Sequence, residues 1–207
     1  MFQAGELTSN CLTPSFLTSV LPSLGVGVGV GSTSKHNVNT KTMTIRIRRG
    51  TAHDCPLINQ MAWQVFPHTY RNILTREQTE YMMDWMYSVE SLTKQLASGH
   101  TYYIAYYDDQ PAGYVSIEQH EKDLFHLQKI YVLPQFQGIG LGRKLFRTAT
   151  NHITQHHPTA CTMELNVNRK NPAVGFYEQM GMHKDRQGDF PIGHGYYMND
   201  YIMAMQL

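Results

Sequence analysis

The 207-residue sequence predicts an α/β fold in which one mixed central sheet carries helices on both faces. Three observations carry that prediction. Residues 44–49 alternate as a strand does. Leu141, Leu145, Ala149 and Ile153 recur every four residues, as on one helix face. The elements also run in a mixed order: a strand, two or three helices, three strands, a helix, a strand, a helix and closing strands.

The elements can be justified in turn. Thr44–Arg49 is the first strand. Asp54 can cap a helix with Pro56 in its first turn, and Leu57, Ile58, Met61, Ala62 and Val65 keep helical spacing until Pro67 ends it. Thr75-Arg-Glu-Gln resembles a capping box and leads to Tyr81, Met82, Trp85 and Met86 on one face. A further helix fits Ser88–Ala97, with Gly99 as its stop. Tyr102–Tyr107 and Gly113–Gln119 form a hairpin around the turn cluster at 108–113. Leu124–Leu133 is a long third strand. After a Gly-containing loop, Gly140–His156 is helical and Thr162–Asn168 extended. Asn171-Pro172 opens a short helix, with Asn171 as N-cap, that Gly181 closes. Tyr196–Met205 supplies a final strand after a Gly-rich loop.

Composition is uneven. Of residues 1–42, 17 are Gly, Ser or Thr, the charged residues are only Glu6, Lys35 and Lys41, and residues 25–31 alternate Gly and Val. Such a segment has little to bury against the entropy of ordering, so disorder is expected there. Met43, just before the first strand, reads as a candidate start, which would make residues 1–42 a dispensable extension and 43–207 the working domain. The chain has 17 basic and 16 acidic residues, and setting aside those three charges leaves 15 of each. A neutral domain offers no basic face for nucleic acid. The three cysteines, Cys11, Cys55 and Cys161, are far apart and odd in number. They exclude a disulfide framework and a Cys-rich zinc site, and no metal is called for. No apolar run approaches the ~20 residues of a membrane span. A soluble, cytoplasmic protein is expected.

The most informative segment is Gln137-Gly-Ile-Gly-Leu-Gly142, between a strand that turns at Pro134 and an amphipathic helix. Glycines let backbone N–H groups approach an anion, and a helix N-terminus adds donors and positive potential, so a phosphate or pyrophosphate ligand is predicted. The spacing is neither the dinucleotide G-x-G-x-x-G nor an NTPase loop, since Gly142 is followed by Arg143-Lys144-Leu145. A ligand-free Gly-rich turn is the plain alternative.

Gln137, Gly140 and Gly142, preceded by Ile-Tyr-Val-x-Pro, resemble the coenzyme A pyrophosphate loop of the GNAT superfamily of N-acetyltransferases. A second block, Leu165 to Met182, is similar to that family's strand followed by N-x-x-A-x-x-F-Y-x-x-x-G-F. The resemblance covers about residues 43–207. It implies a single GNAT-like domain with about seven strands, and acetyl-CoA as co-substrate. It further implies that the strand before the loop parts from its neighbour, so that backbone groups of Ile130 and Val132 hold the pantetheine arm and polarise the thioester. Gln137, Gly138, Ile139, Gly140, Leu141, Gly142 and Arg143 would then wrap the pyrophosphate, with Lys144 a further cation, and Asn171 would touch the cofactor as well as cap its helix.

Tyr177 matches the tyrosine that protonates the departing thiolate in many relatives; the alternative is a buried aromatic. Several relatives carry a glutamate base where this chain has His126, and some a second Glu where it has Gln128. On a strand, His126, Gln128, Ile130 and Val132 share one face, so His126 points the same way as the cofactor-binding positions, and with a pKa near ~6.5 it could act as a base. Otherwise it is an ordinary strand histidine.

The acceptor region implied by the resemblance spans residues 66–74, 81–87 and 189–197. It is rich in aromatics (Tyr70, Tyr81, Trp85, Tyr87, Tyr196, Tyr197) beside Glu80, Asp84 and Asp189. Aromatic walls with carboxylates suit an amine-bearing cation, and core packing accounts for many of the same side chains. The region is similar to that of bacterial polyamine acetyltransferases. A small polyamine or other small amine is the expected substrate, with a peptide or amino-acid amino group next and a non-catalytic acyl-CoA-binding module as the reading from another class. No nucleic-acid or membrane partner is expected, and a homodimer is compatible with the sequence.

Overall fold

The computed structural model describes residues 44–207. The expectations for residues 1–42, for Met43 and for Cys11 lie outside the described residues. Seven strands form one sheet: β1 (Ile45–Arg49), β2 (Thr101–Tyr107), β3 (Gln110–Glu121), β4 (Leu124–Val132), β5 (Thr162–Asn168), β6 (His183–Gly193) and β7 (Tyr196–Gln206). Their order is β1-β2-β3-β4-β5-β7-β6, and β4–β5 is the parallel pair in an otherwise antiparallel sheet. The helices are α1 (Cys55–Tyr70), α2 (Arg76–Tyr87), α3 (Val89–Ala97), α4 (Leu141–His156) and α5 (Val174–Gln179). Among the described residues, no helix is long and apolar enough to cross a membrane.

Helices cover both faces, as the element order predicts. On one face Tyr131 of β4 meets Phe66 of α1 and Tyr87 of α2, and Lys129 donates to Gln95 Oε1 of α3 at 2.7 Å. On the other, Tyr103 of β2 contacts His152 Nδ1 of α4 at 3.1 Å, and Phe146 of α4 packs on Phe176 of α5. The predicted α4 stripe is buried throughout. Cys55 and Cys161 are buried free thiols.

Four local expectations need correction. Pro67 does not end α1, which runs on to Tyr70. The proline deprives the Trp63 carbonyl of its helical donor, but Trp63 is on the exposed side where water can serve, while Phe66 and Tyr70 anchor the last turn in the core. Asp54 does not cap α1 with its side chain. Its carboxylate turns back to accept from Thr51 N–H (2.8 Å) and from Arg48 (2.6 and 2.9 Å), and that ion pair holds it well below the usual carboxylate range. The β2–β3 turn is only Asp108-Asp109, both at positive φ (46° and 65°), a geometry that matches the twist of a two-residue hairpin. Finally, the Gly-rich segment before Tyr196, expected as a loop, forms β6. It is a mostly exposed edge strand with no apolar alternation for pattern reading to detect.

Candidate active site

The site begins where β4 and β5 part. They pair at Leu124–Thr162, Phe125–Met163 and His126–Glu164, and beyond His126 the pairing stops although both strands continue. A wedge-shaped gap opens there, along which the buried backbone of β4 is no longer paired with β5. Leu133 N–H donates to Ala112 O on the β3 side, at 2.9 Å. Peptide groups alternate along a strand, so those of Tyr131 and Leu133 point to β3, and those of Ile130 and Val132 point into the gap. This is the geometry a pantetheine arm needs.

At the wide end of the gap lies the Gly-rich loop. Gly138 and Gly140 sit at φ +79° and +83°, where a Cβ is strained, and Gly140 is the N-cap of α4. The first-turn N–H groups of α4 are left without helical acceptors and face the loop's concavity. A cleft of about 160 Å³ is lined by Val132, Phe136, Gln137, Gly138, Gly140, Leu141, Gly142, Arg143, Phe176 and Gln179. The structure thus brings together Val132 and most of the predicted loop residues. Ile139 is exposed at the loop tip, outside the cleft lining. The Gln137 side chain donates to Val132 O at 3.0 Å, so it ties the loop to the strand and takes up that gap-facing carbonyl.

Asn171 accepts from Ala173 N–H at 2.9 Å just ahead of α5, but the N-cap of α5 is Ala173, so Asn171 braces the turn before the helix and does not hold the predicted cap position. Its amide reaches Tyr70 Oη at 3.4 Å, which links the end of α1 to α5. Tyr177 is fully buried on α5 beside Phe176, which lines the loop cleft.

The expected orientation and protonation of His126 are overturned. Ser116 pairs with Lys129 and Ile117 with Leu127, so Gln128 is an extra residue, a β-bulge. The bulge reverses the alternation. His126 lies with Gln128, Lys129 and Tyr131 on the face covered by α1–α3, whereas Ile130 and Val132 look to the α4 face. His126 is buried, stacks on His120 with centroids 5.0 Å apart, and has Nε2 3.1 Å from Asn166 Oδ1. Burial, reinforced by His120, pushes its pKa down to about 3, so it is neutral and a very weak base at physiological pH.

Two carboxylates escaped the sequence reading. Glu118, paired with His126 in register, accepts from Gln128 Nε2 at 2.6 Å and lies 3.1 Å from His120 Nε2 and 3.3 Å from His100 Nε2. Those contacts outweigh its burial and hold it well below the usual range, so it is a poor proton acceptor. Asp200 of β7 is completely buried, opposite Asn168. A signal for it existed: it holds an inward strand position between Met198 and Ile202, where every other inward residue is apolar.

A second cleft of about 380 Å³, beside Asn168 at the far end of β5, is bordered by Ile73, Leu74, Gln78, Asn168, Arg169, Lys170, Tyr197 and Asn199. It joins the α1–α2 connection to the β6–β7 hairpin, two of the segments expected to receive the acceptor. The acids named from sequence do not line it. Glu80 pairs with Arg76, Asp84 is exposed, and Asp189 contacts Arg169 and Asn199 at the surface. Most of the aromatics serve packing: Tyr70 and Tyr87 are buried, and Tyr81, stacked on Trp85, donates to Ile192 O at 2.6 Å.

An acetyltransferase (GNAT) domain model matches residues 71–190. The protein named uncharacterized N-acetyltransferase YjgM, from Escherichia coli (strain K12), is 29% identical over 102 residues, which cover 48% of this chain and 58% of that relative. The match therefore spans little more than half of the relative's length. Among solved structures, PaiA N-acetyltransferase from Thermoplasma acidophilum in complex with coenzyme A superposes with TM-score 0.66 at 20% identity, covering 79% of this chain and 99% of that one. The ribosomal-protein-S18-alanine N-acetyltransferase of Escherichia coli gives TM-score 0.60 at 17% identity, over 79% and 94%. YncA from Salmonella typhimurium with its cofactor acetyl-CoA gives 0.54 at 18%, also over 79% and 94%. At such identities these likenesses establish the shared fold.

Proposed function

This chain belongs to the GNAT acetyltransferase family, and on that premise we propose that it moves the acetyl group of acetyl-CoA to a primary amine. One observation carries the reading: the gap between β4 and β5, with the Ile130 and Val132 peptide groups directed into it, runs up to the Gly138–Gly140 loop and the α4 N-terminus. Strand amides suit the pantetheine amides, and helix N–H groups with Arg143 suit a pyrophosphate. Gln137, Gly138, Ile139, Gly140, Leu141 and Gly142 contribute the loop backbone, and Asn171 borders the arm.

In the reaction the neutral amine nitrogen attacks the thioester carbon, the C–N bond forms, and the C–S bond breaks. The leaving thiolate, with a pKa near ~8.5, takes a proton from Tyr177. Replacing Tyr177 with Phe is expected to lower turnover by about 10²-fold or more while leaving coenzyme A affinity within a factor of about three. Steady-state thiol release and calorimetric titration with coenzyme A would measure both, and unchanged turnover would remove Tyr177 from the chemistry.

The acceptor is a small amine. The polyamine reading draws on the aromatic wall that Tyr197 supplies. Arg169 and Lys170 at the same cleft favour the second reading, an amino acid whose carboxylate they could hold. Thiol release from acetyl-CoA, followed with putrescine, spermidine, free amino acids and a short peptide, separates the two. Turnover confined to polyamines would make the cleft cations incidental. Tight coenzyme A binding without turnover on any amine would point to a binding module.

A further inference from the structure

The acetyl transfer proposed above leaves one chemical task unassigned. An aliphatic ammonium must lose a proton before its nitrogen can attack. Neither His126, buried and neutral, nor Glu118, held ionised by its donors, is suited to take it.

Asp200 is placed differently. Its side chain is fully enclosed, and both carboxylate oxygens lie out of reach of solvent without a hydrogen bond of good geometry among the described residues. A buried carboxylate with no cation of its own is costly, and such groups persist mainly where a ligand or a reaction uses them. Its surroundings are arranged across three strands. Asn166 Oδ1, next to His126 Nε2, fixes that side chain's orientation and leaves the Asn166 amide to approach Asp200. Asn168, opposite Asp200 in register, and Asn199, next to it in sequence, both line the acceptor cleft. The carboxylate therefore sits behind the cleft wall, on the sheet face that α1 covers, where the Tyr70 hydroxyl approaches it.

We propose that Asp200 is the counter-ion and proton acceptor for the acceptor ammonium, with Asn166, held by His126, as its positioning residue. This assignment rests on the acetyl-transfer reading. The proton balance closes. The ammonium gives one proton to Asp200 before attack. The tetrahedral nitrogen loses a second as the C–S bond breaks, which restores to Tyr177 the proton it gives the thiolate. Asp200 then releases its proton by way of the acceptor cleft once the product has left, so each turnover releases one.

The groups facing Asp200 agree with that duty. Burial raises its pKa to about 7, opposed weakly by the Asn166 amide and by the charge of Arg169, while the buried Tyr70 hydroxyl of α1 feels its charge in turn. A proton acceptor poised near neutrality matches the working range of a general base.

The test compares the full-length protein with Asp200→Asn, using whichever amine of the panel above turns over best. The wild-type kcat/KM for the amine, which reports the free enzyme, should rise with pH and level off above an inflection near pH 7. The variant should bind coenzyme A as the wild type does, yet fall about a hundredfold or more near pH 7.5. Its kcat/KM should then climb about tenfold per pH unit without levelling, as solution deprotonates the amine instead. A merely structural role would not change the shape of that profile. A variant with wild-type kcat/KM and the same inflection overturns the assignment, and so does a wild-type profile with no inflection between pH 6 and 8.

Melting temperature gives a readout independent of turnover. A carboxyl whose folded pKa lies above its unfolded value of ~3.9 contributes stability that is present below about pH 4 and lost as pH rises through 7. Asp200→Asn should therefore melt above the wild type at pH 8 and level with it at pH 4. Equal melting at both pH values would mean that the carboxylate is not buried unpaired, and the assignment would fall. Absence of turnover in the wild type on every amine, with the melting difference present, would instead overturn the acetyl-transfer reading and leave Asp200 as an unpaired buried acid.

Discussion

Replacing Gly113 with alanine should destabilise the protein by about 3 kcal/mol or more, lowering the melting temperature by roughly 6–12 °C. Gly113 of β3 pairs with Val132, the last residue of β4. A Cβ there would lie 2.3 Å from the Tyr131 carbonyl oxygen and 3.1 Å from Val132 Cα. Both are backbone atoms of a central strand, so no rotamer change can relieve the clash and the strands must separate. That separation falls on the segment whose opposite edge faces the gap. Coenzyme A affinity should therefore drop together with stability, by about tenfold if the Val132 peptide group shifts enough to lose one hydrogen bond of ~1.4 kcal/mol. Gly175→Ala is the matched control. It lies within α5, nothing stands within 4 Å of its added Cβ, and exchanging Gly for Ala inside a helix favours the fold by about 0.5–1 kcal/mol. Thermal melts and coenzyme A titrations of the two variants decide the matter. If Gly113→Ala melts within a degree of the wild type, β3 and β4 do not approach as described.

The same strand pair separates what was legible in the sequence from what was not. The α4 stripe, the Gly-rich loop and the Asn171 turn were readable because each rests on local chemistry: a helical period, a positive φ, a side-chain acceptor two residues from its donor. The direction in which His126 faces was not, because it depends on a single bulge at Gln128. One extra residue reverses every side chain on one side of it relative to the other. Without the bulge, His126 would share the face of Ile130 and Val132. With it, His126 joins Lys129 and Tyr131 beneath the helices. Glu118 and Asp200 were missed for a related reason. Each reaches the site from a neighbouring strand: Asp200 breaks an apolar inward row, yet its place at the site, like that of Glu118, follows from a register that no local pattern encodes. Polar residues on β5 show the same limit, since Asn166 and Asn168 gain meaning only once β7 places Asp200 diagonal to one and opposite the other.

Lys129→Met should raise stability at neutral pH, and the gain should disappear in alkali. Lys129 is buried on β4 just after the bulge. Its ammonium donates to Gln95 Oε1 at 2.7 Å and lies 5.6 Å and 5.9 Å from the ring centroids of Tyr87 and Tyr102. No carboxylate pairs with it directly, and burial lowers its pKa to about 7 against the weaker opposing charge of Glu118. An unfolded lysine titrates near ~10.4. Between pH 7 and about 10 the unfolded chain therefore binds more protons than the folded one, so stability rises with pH across that window. The penalty is complete below about pH 7 and gone above about 10. Methionine has a similar length and no charge, and Gln95 Oε1 keeps its hydrogen bond from the Tyr102 hydroxyl at 2.6 Å, so no buried acceptor is orphaned. Removing an uncompensated buried charge in this way should be worth about 2 kcal/mol or more near pH 6, roughly 4–8 °C in melting temperature. The window lies above that of Asp200, whose penalty grows between about pH 4 and 7. Lys129→Met should thus gain most at pH 6 and nothing at pH 10, whereas Asp200→Asn should gain nothing at pH 4 and keep its gain at pH 10. Melting curves of both variants and the wild type at those three pH values measure the crossing. A Lys129→Met protein that melts below the wild type at pH 6 would mean that the contacts to Gln95, Tyr87 and Tyr102 outweigh desolvation. Lys129 would then be a stabilising cation, not a tolerated one.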